Sequence, residues 1–458
     1  MSPSVTVLPG GLRVCVESVP QYGRGLAAVA LTVAAGGDDD PAGRHGTAHL
    51  VEHLMFPRSG REGSAAPAGE GYAALVAGAG GVCNAETHRD HTVFHTTVPA
   101  ELLPDALAWE AGRLLGFAPT EDVIRTETDV IGEEIRGAGD AGRYWESALG
   151  ALYPGSRDSF GTAAELAGIT AGEVEAFFRA HYTAPRMVLS VVGDVDPARV
   201  VAVVREVFAG VVRTAEEARA AEAPRTARET RAAEAPRAAE EARVAGAVRT
   251  AEGTRAAEAP RTATEIRTAP LPAARPGVAV GHPLPDPVAE RPAYLAQAVL
   301  AQVLGRSRLP ALARSARDGH RLTSATVTCG YHGQWLASAA PDLTLAVLGR
   351  APGTEVGAAV DIWRSVLRAV ADGPLPEAEH RRAVNSLLVA WHRQADSLPT
   401  RAVALGRDAL LLPGSAGPDA LPAALSRTTP AEVAAAARAL LEGPVTVTEL
   451  APQKGTVG

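Results

Sequence analysis

Residues 46–56 read GTAHLVEHLMF, and they place two histidines and a glutamate in the order H-x-x-E-H. The stretch is apolar at helical spacing and has no proline or internal glycine, which predicts a helix. His49 and His53 are four residues apart, so they would lie on one face of that helix. Glu52 comes one residue before the second histidine, and its carboxylate would project beside this face. Two neutral imidazoles and an adjacent carboxylate are the groups that hold a zinc ion and take a proton from its bound water.

A hydrolytic zinc site also needs a third protein ligand. Residues 120–136, TEDVIRTETDVIGEEIR, predict a second helix with Thr120 as its N-cap and acidic residues in its first turn. Glu127 and Glu134 are two helical turns apart and share a face, whereas Glu133 is rotated by roughly 100° from Glu134. The second helix therefore offers one face that carries two carboxylates.

Other histidines are alternative ligands. His88, His91 and His95 lie within HRDHTVFHTTV, which alternates like a strand and would place His91 and His95 on one face. If they do not bind a metal, these histidines would contact substrate or lie exposed to solvent. His45 precedes the first predicted helix and is interpreted as a helix-entry residue rather than a fourth ligand, because a catalytic site leaves one position to water.

The two predicted helices resemble the metal-binding helices of the pitrilysin/insulinase zinc peptidases (inverzincins), in the branch that includes mitochondrial processing peptidase. In that family the last glutamate of the second helix ligates zinc, and the glutamate seven residues before it supports the site. The resemblance implies one Zn²⁺ ion held by His49, His53 and Glu134. It makes Glu52 the general base and Glu127 the acid that orients and polarises the ligands.

The resemblance covers nearly all of residues 5–212. VLPGGLRV at residues 7–14 is similar to the family's opening hairpin, and GGVCNAET at residues 80–87 is similar to its strand beside the active site. MVLSVVGD at residues 187–194 is typical of the end of its first domain. By this resemblance, the strand that carries Asn84 is the sheet edge along which a peptide adds, and Asn84 contacts the substrate.

A low-complexity segment divides the chain. Arginine recurs at every sixth position from Arg213 to Arg267, and the unit RAAEAPR starts at residues 219, 231 and 255. Prolines interrupt the segment, and its arginines would fall on three faces of a helix, so it predicts an expanded, partly helical linker. An arginine array for an acidic partner is the alternative, which the interspersed glutamates weaken.

We expect an α+β fold with two homologous domains, each a mainly antiparallel sheet packed with helices. TTPAEV, from Thr428, echoes ITAGEV, from Ile169, and a predicted helix and strand follow each. The predicted domains are a zinc-bearing peptidase domain at 1–212, an Arg/Ala/Glu/Pro-rich linker at 213–275 and a homologous inactive domain at 276–458. The last of these contains no H-x-x-E-H.

The second domain departs from the family in one substrate-binding element. The family has an arginine and a tyrosine there; Arg317 matches the arginine, but Ser324 stands where the tyrosine is expected. A serine hydroxyl cannot reach as far as a phenol. Two-subunit members divide the roles between chains, so we expect this chain to be the zinc-bearing subunit of a heterodimer whose homologous partner supplies the Arg/Tyr pair. Tyr331 would take the role instead if the alignment shifts.

The function implied is that of a zinc-dependent endopeptidase, which hydrolyses peptides or unfolded segments by metal-activated water. The alternatives are a non-catalytic structural subunit of the same fold, and a metal-binding protein without hydrolysis, for which Glu52 would be dispensable.

Composition agrees with a soluble cytoplasmic enzyme. Hydrophobic residues make up 46 % of the 458 residues, enough for two or three domains with their own cores. The chain has no run of about eighteen apolar residues, so no membrane span is expected. It also has no basic start followed by an apolar stretch, so no secretory signal is expected. Cys15, Cys83 and Cys329 are too few and too far apart to predict a disulfide framework. The net charge of −8 gives no footprint for nucleic acid.

Overall fold

The computed structural model describes residues 3–56, 71–138, 143–211, 265–314, 322–412 and 417–452. These residues form two α+β units, the first within residues 3–211 and the second within residues 265–452. Each unit contains a six-stranded sheet with helices packed on it. The predicted fold class is thereby confirmed.

The first sheet has the strand order β1-β2-β6-β3-β5-β4. Neighbouring strands are antiparallel except β2 and β6, which are parallel. All residues of β6 and all but the first of β3 are buried, as expected for Val/Ala/Leu runs covered on both faces. The strands are β1 (Ser4–Val7), β2 (Arg13–Ser18), β3 (Leu26–Val33), β4 (Val82–Thr87), β5 (Thr92–Pro99) and β6 (Met187–Gly193).

The second sheet has the order β10-β11-β9-β12-β7, with β8 also paired to β12. β7 and β8 run parallel to β12, and the other pairs are antiparallel. β7 and β8 fall within the last residues of the predicted linker and extend this sheet. The strands are β7 (Glu265–Arg267), β8 (Leu271–Ala273), β9 (Gly277–Pro283), β10 (Leu322–Cys329), β11 (Leu343–Arg350) and β12 (Val445–Pro452).

Helices of the first unit enclose a core centred on Leu31, Leu50, Leu107 and Ile131, all fully buried. Burying such side chains contributes roughly 1.5–3 kcal/mol each. The helices are α1 (Pro20–Gly23), α2 (Thr47–Leu54), α3 (Tyr72–Gly78), α4 (Leu103–Leu115), α5 (Glu121–Ala138), α6 (Tyr144–Leu152), α7 (Ala163–Leu166), α8 (Ala171–His181) and α9 (Pro197–Val207).

The second unit has its own core, around Tyr294, Val299, Leu348 and Trp363. A π-helical segment, Leu304–Arg308, joins its first two helices. The helices are α10 (Arg291–Val303), α11 (Leu309–Arg314), α12 (Val356–Ala371), α13 (Glu377–Ala395), α14 (Leu398–Leu411), α15 (Leu421–Arg427) and α16 (Pro430–Glu442). The predicted echo between the units is visible at α8 and α16: each begins with a capping box, Thr170 with Glu173 and Thr429 with Glu432.

The two units exchange one helix each. α6 leaves the first unit and packs on β9, β11 and β12 of the second sheet, where Trp145 and Leu149 are buried. In return, α14 packs on β3, β5 and β6 of the first sheet and buries Ala402 and Leu405. Each sheet therefore has one face covered by its own unit and the other face covered by a helix of the opposite unit.

Both helices predicted around the site are present. The helix predicted within residues 46–56 is α2, and the helix predicted over 120–136 is α5, where the Thr120 hydroxyl lies 3.5 Å from the Val123 amide as expected of an N-cap. The prediction that a strand begins at His88 was wrong about where the strand starts. Residues 88–91 form a turn closed by the His88 amide on the His91 carbonyl at 2.8 Å, and β5 begins only at Thr92. None of the described helices is long and apolar enough to span a membrane.

Candidate metal centre and active site

The first turn of α2 is fixed by a carboxylate from outside the helix. Gly46, the N-cap, has no side chain and a φ of 103°, a conformation that favours glycine. Asp40 supplies the cap instead: its Oδ2 accepts from the Gly46 amide at 2.6 Å, and its Oδ1 accepts from the Ala48 amide at 2.7 Å. The His45 Nδ1 lies 2.9 Å from the same Asp40 Oδ2, and its Nε2 lies 2.9 Å from Asp158 Oδ1. His45 is therefore a helix-entry residue in this structure, as predicted.

α2 and α5 bring the three predicted ligands together. The His49 Nε2 lies 3.6 Å from Glu134 Oε2, and the His53 Nε2 lies 3.5 Å from the same oxygen. The two imidazole rings are 4.9 Å apart between centroids, at an angle of 74°. Among the described residues, His49, His53 and Glu134 are the group with donor atoms close enough to hold a metal ion.

The geometry and chemistry of this group fit zinc. Two donors bound at about 2.1 Å to a tetrahedral zinc ion lie roughly 3.4 Å apart, which agrees with the separations across Glu134. Burial, and then the neighbouring His53, lower the pKa of His49 to about 4. Its imidazole is therefore neutral at neutral pH, as a ligand must be.

Glu127 supports the second histidine. Its Oε2 lies 3.2 Å from the His53 Nδ1, on the side of the ring opposite the nitrogen that faces Glu134. An Nδ1–H that donates to a carboxylate leaves Nε2 as the free donor atom and holds the ring in place. Glu127 is buried, whereas the adjacent carboxylate of Glu133 is exposed and pairs with Arg136.

The Glu52 carboxylate is held by β4. The Thr87 hydroxyl donates a hydrogen bond to Glu52 Oε2. Burial raises the pKa of the Glu52 carboxyl, while this hydrogen bond and the nearby His53 oppose the rise. A desolvated carboxylate with one oxygen fixed is suited to accept a proton at a defined position.

A buried arginine holds the other end of α2. The Arg113 Nη1 lies 3.4 Å from the Met55 carbonyl, at the helix C-cap, and its guanidinium is paired with Glu110. The guanidinium carbon also lies 4.5 Å from the ring centroids of both Tyr72 and Phe94. A cation at a helix C-terminus stabilises it, so both ends of α2 are fixed by charged side chains from other elements.

The alternative histidine ligands are occupied elsewhere. His88 and His91 stack on each other, with centroids 4.4 Å apart, and are 2 % and 0 % exposed. The Arg407 Nε donates to His91 Nε2 at 2.9 Å. The expectation that these histidines are solvated was wrong, because the β4–β5 turn is buried against the second unit, where the Asp90 carboxylate accepts from the Ala339 amide. His95 lies half-buried on β5.

The proposed substrate residues differ in their settings. Asn84 is exposed on β4, which is the edge strand of the first sheet. Arg317 lies outside the described residues. Ser324 is exposed on β10, and the Tyr331 hydroxyl lies 2.6 Å from Ser159 Oγ with 6 % of the residue exposed. Tyr331 is thus used in the contact between the two units.

Three contacts of this site were missed in the sequence: Asp40 at the start of α2, Arg113 at its end, and Arg407 on the β4–β5 turn. Asp40 lies six residues before Gly46, so a search for end caps beyond the adjacent residues would have included it. Arg113 lies 58 residues from Met55 and gives no such local signal. Arg407 has no local signal, because it lies more than three hundred residues from its partners.

The fold and this centre define a class: a protein of two similar α+β units with a candidate H-x-x-E-H metal centre on the first. The profile described as "Insulinase (Peptidase family M16)" matches residues 16–138, and that described as "Peptidase M16 inactive domain" matches residues 168–387. The chain belongs to the pitrilysin/insulinase family, peptidase family M16.

Three relatives illustrate the likeness. An uncharacterized zinc protease of Mycobacterium tuberculosis is 33 % identical over 213 residues, 45 % of this chain and 47 % of the relative. A probable mitochondrial-processing peptidase subunit beta of Arabidopsis thaliana is 31 % identical over 211 residues, 44 % of this chain and 38 % of the relative. The matched region therefore covers less than half the length of each of these two curated relatives. A protease from Helicobacter pylori shares the fold, with a TM-score of 0.76 at 18 % identity, over 98 % of this chain and 99 % of that one.

Proposed function

We propose that this chain is a zinc-dependent endopeptidase that hydrolyses peptides or unfolded segments. The observation that carries the proposal is the convergence of His49, His53 and Glu134 beside the held carboxylate of Glu52. When bound there, a zinc ion would acidify a water molecule and polarise the scissile carbonyl.

The chain's own residues would then divide the work. Glu52 accepts the proton of the attacking water and returns it to the leaving amine. Thr87 keeps one Glu52 oxygen in a fixed position, so the other oxygen is directed to the reacting atoms. Glu127 keeps the His53 ring in the tautomer that presents Nε2.

The substrate would add as a strand to the exposed edge of the first sheet. β4 has one neighbour, β5, in that sheet, and residues 82, 84 and 86 are its exposed positions. A peptide that pairs with an edge strand contributes main-chain hydrogen bonds and is selected by its extended shape. Asn84, at the middle of this row, is the proposed substrate contact, and Arg317 is proposed as a further one.

We also propose that a homologous subunit completes the site. Ser324 replaces the expected tyrosine, and the hydroxyl of Tyr331 is engaged with Ser159. The proposed domain division is 1–212 for the zinc-bearing domain, 213–275 for the linker and 276–458 for the inactive domain.

The test is digestion of a mixed peptide library by the purified, zinc-loaded chain, with Glu52→Gln in parallel and Glu133→Gln as a control of the same chemical change at an exposed site. Cleavage that disappears in Glu52→Gln and persists in Glu133→Gln supports a self-sufficient endopeptidase and contradicts the need for a partner. Cleavage that appears only after a homologous Arg/Tyr-bearing subunit is added supports the heterodimer. A folded, zinc-loaded chain that stays inert with such a partner contradicts the enzyme and favours the structural subunit.

A further inference from the structure

The guanidinium of Arg407 lies where α14 of the second unit meets the β4–β5 turn of the first. Only 12 % of its side chain is exposed. Its Nε donates to His91 Nε2 at 2.9 Å, and its Nη2 lies 2.6 Å from His88 Nε2 and 3.1 Å from Glu86 Oε2. Three residues of one hairpin thus receive hydrogen bonds from a single side chain of the opposite unit.

This hairpin also holds the proposed general base. Glu86 is followed directly by Thr87, whose hydroxyl donates to Glu52 Oε2. Arg407 is therefore connected to the Glu52 carboxylate through one ion pair, one peptide unit and one hydrogen bond. A displacement of the Glu86 backbone would move the Thr87 hydroxyl with it.

The end of β4 needs such support because β4 is an edge strand. Its backbone is paired to β5 on one side, and its other side is the row where a peptide would add. Arg407 restrains this end through side chains, so the edge itself stays available. A planar guanidinium can bind several acceptors at once, which an ammonium cannot do with the same geometry.

We propose that Arg407 is a positioning residue for hydrolysis, which acts through Glu86 and Thr87 to hold Glu52 in its reactive position. This inference rests on the proposed peptidase function. It predicts mainly a loss of turnover, since Arg407 contacts neither the metal ligands nor the proposed substrate contact Asn84, and within the exposed row of β4 it pairs only with the last residue, Glu86.

Arg401 provides a matched control on the same helix. It lies six residues before Arg407 and also bridges the two units, with its Nε 2.5 Å from Glu17 Oε2 and 15 % of its side chain exposed. Glu17 is on β2, which is separated from β4 by three strands in the sheet. Replacing Arg401 therefore removes a similar contact between the units without affecting the hairpin.

The experiment compares Arg407→Met, Arg407→Lys and Arg401→Met for zinc content, Tm, kcat and KM on one peptide substrate. We expect Arg407→Met to lower kcat by about 10–100-fold, because a small misplacement of a reacting group by a distant substitution can cost about 100-fold in rate, with KM and zinc content unchanged. Arg407→Lys should recover part of kcat. If Arg407→Met does not fold, Arg407→Lys replaces it in the comparison. Arg401→Met should lower Tm and leave kcat near the wild-type value.

A double variant tests the route. If Arg407 acts through Thr87, Arg407→Met in a Thr87→Val background should lower kcat by less than about twofold further, because the effects of coupled residues do not add. Full multiplication of the two losses in kcat would overturn the inference, as would equal kcat losses in Arg407→Met and Arg401→Met.

If the wild-type chain cleaves no peptide, the proposed function fails separately from this inference. Hydrogen exchange of the backbone amides then tests whether Arg407 restrains the hairpin. Faster exchange of residues 82–99 in Arg407→Met than in Arg401→Met supports this restraint, and equal exchange in the two variants refutes it.

Discussion

The candidate ligands differ in exposure in a way that shows where the centre opens. The side chains of His49 and His53 are 10 % and 15 % exposed, whereas that of Glu134 is 49 % exposed. The two imidazoles therefore form the floor of the centre, and the carboxylate borders solvent. The side of α5 is thus the more accessible side of the candidate centre.

Glu127 allows the centre to be tested one hydrogen bond away from the ligands. Glu127→Gln replaces the carboxylate beside His53 with an amide that is a weaker acceptor. We expect zinc affinity to fall by about 10–100-fold with little change in Tm, measured by competition with a chelator.

The control is Glu133→Gln, which makes the same change on the same helix at an exposed residue paired with Arg136. It should leave zinc affinity unchanged. Equal losses in the two variants would show that general charge, rather than orientation of His53, governs binding.

For single residues, the sequence predicted which side chains share a face when they lie within two turns of the same helix. The spacing of His49 and His53, and of Glu127 and Glu134, follows from the helical repeat. Arg407 and Arg113 could not be assigned in this way, because their contacts depend on how distant elements dock. The burial of His88 and His91 was missed for the same reason.

Among the elements, α2 is restrained at both ends. Asp40 binds its first amides, and Arg113 contacts the carbonyl of its C-cap residue, Met55. The Cβ of any residue at position 46 other than glycine would lie 2.6 Å from Leu166 Cδ2, so the helix start is also packed tightly. An eight-residue helix is too short to be stable alone, and these contacts keep its two histidines in register with Glu134.

The start of α2 predicts a pH-dependent stability. Burial alone would lower the pKa of His45, but its hydrogen bonds with Asp158 and Asp40 outweigh burial and raise it to about 9. Because the folded pKa exceeds the ordinary value of about 6.5, this stabilisation is complete below pH 6.5 and is lost as the pH rises to 9.

The measurement is the Tm of the wild type and of His45→Gln between pH 6 and pH 9.5. The wild type should be more stable at pH 6, and the difference should shrink towards pH 9. A difference that stays constant over this range would mean that the charge of His45 does not stabilise the fold.

For the whole molecule, the exchange of α6 and α14 makes the two units depend on each other. α14 lies so close to the first sheet that a Cβ on Gly406 would clash with the Thr32 hydroxyl and lie 2.8 Å from Ser190 Oγ. The duplication and the sheets were predictable from repeated motifs and strand-like runs. The exchange was not, because an apolar helix face indicates burial without indicating which sheet buries it.

Gly406→Ala tests this close packing. The added methyl should force α14 away from β3 and β6 and lower the free energy of unfolding by about 1–3 kcal/mol, measured by urea denaturation. Gly357→Ala is the matched control, since Gly357 is exposed in α12 with open space around it, and it should raise stability by up to about 1 kcal/mol. Equal effects in the two variants would contradict tight docking of α14.

The exchanged helix also determines when the first unit can be finished during synthesis. The strands of its sheet are complete at Gly193, but the helix that covers their outer face begins only at Leu398. At about 5–20 residues per second, the ribosome needs on the order of ten seconds or more to deliver it. Throughout that interval α14 is not yet available to cover the apolar face formed by Ala28, Ala30 and Val192, and transiently exposed apolar surface of this kind makes a growing chain prone to aggregation.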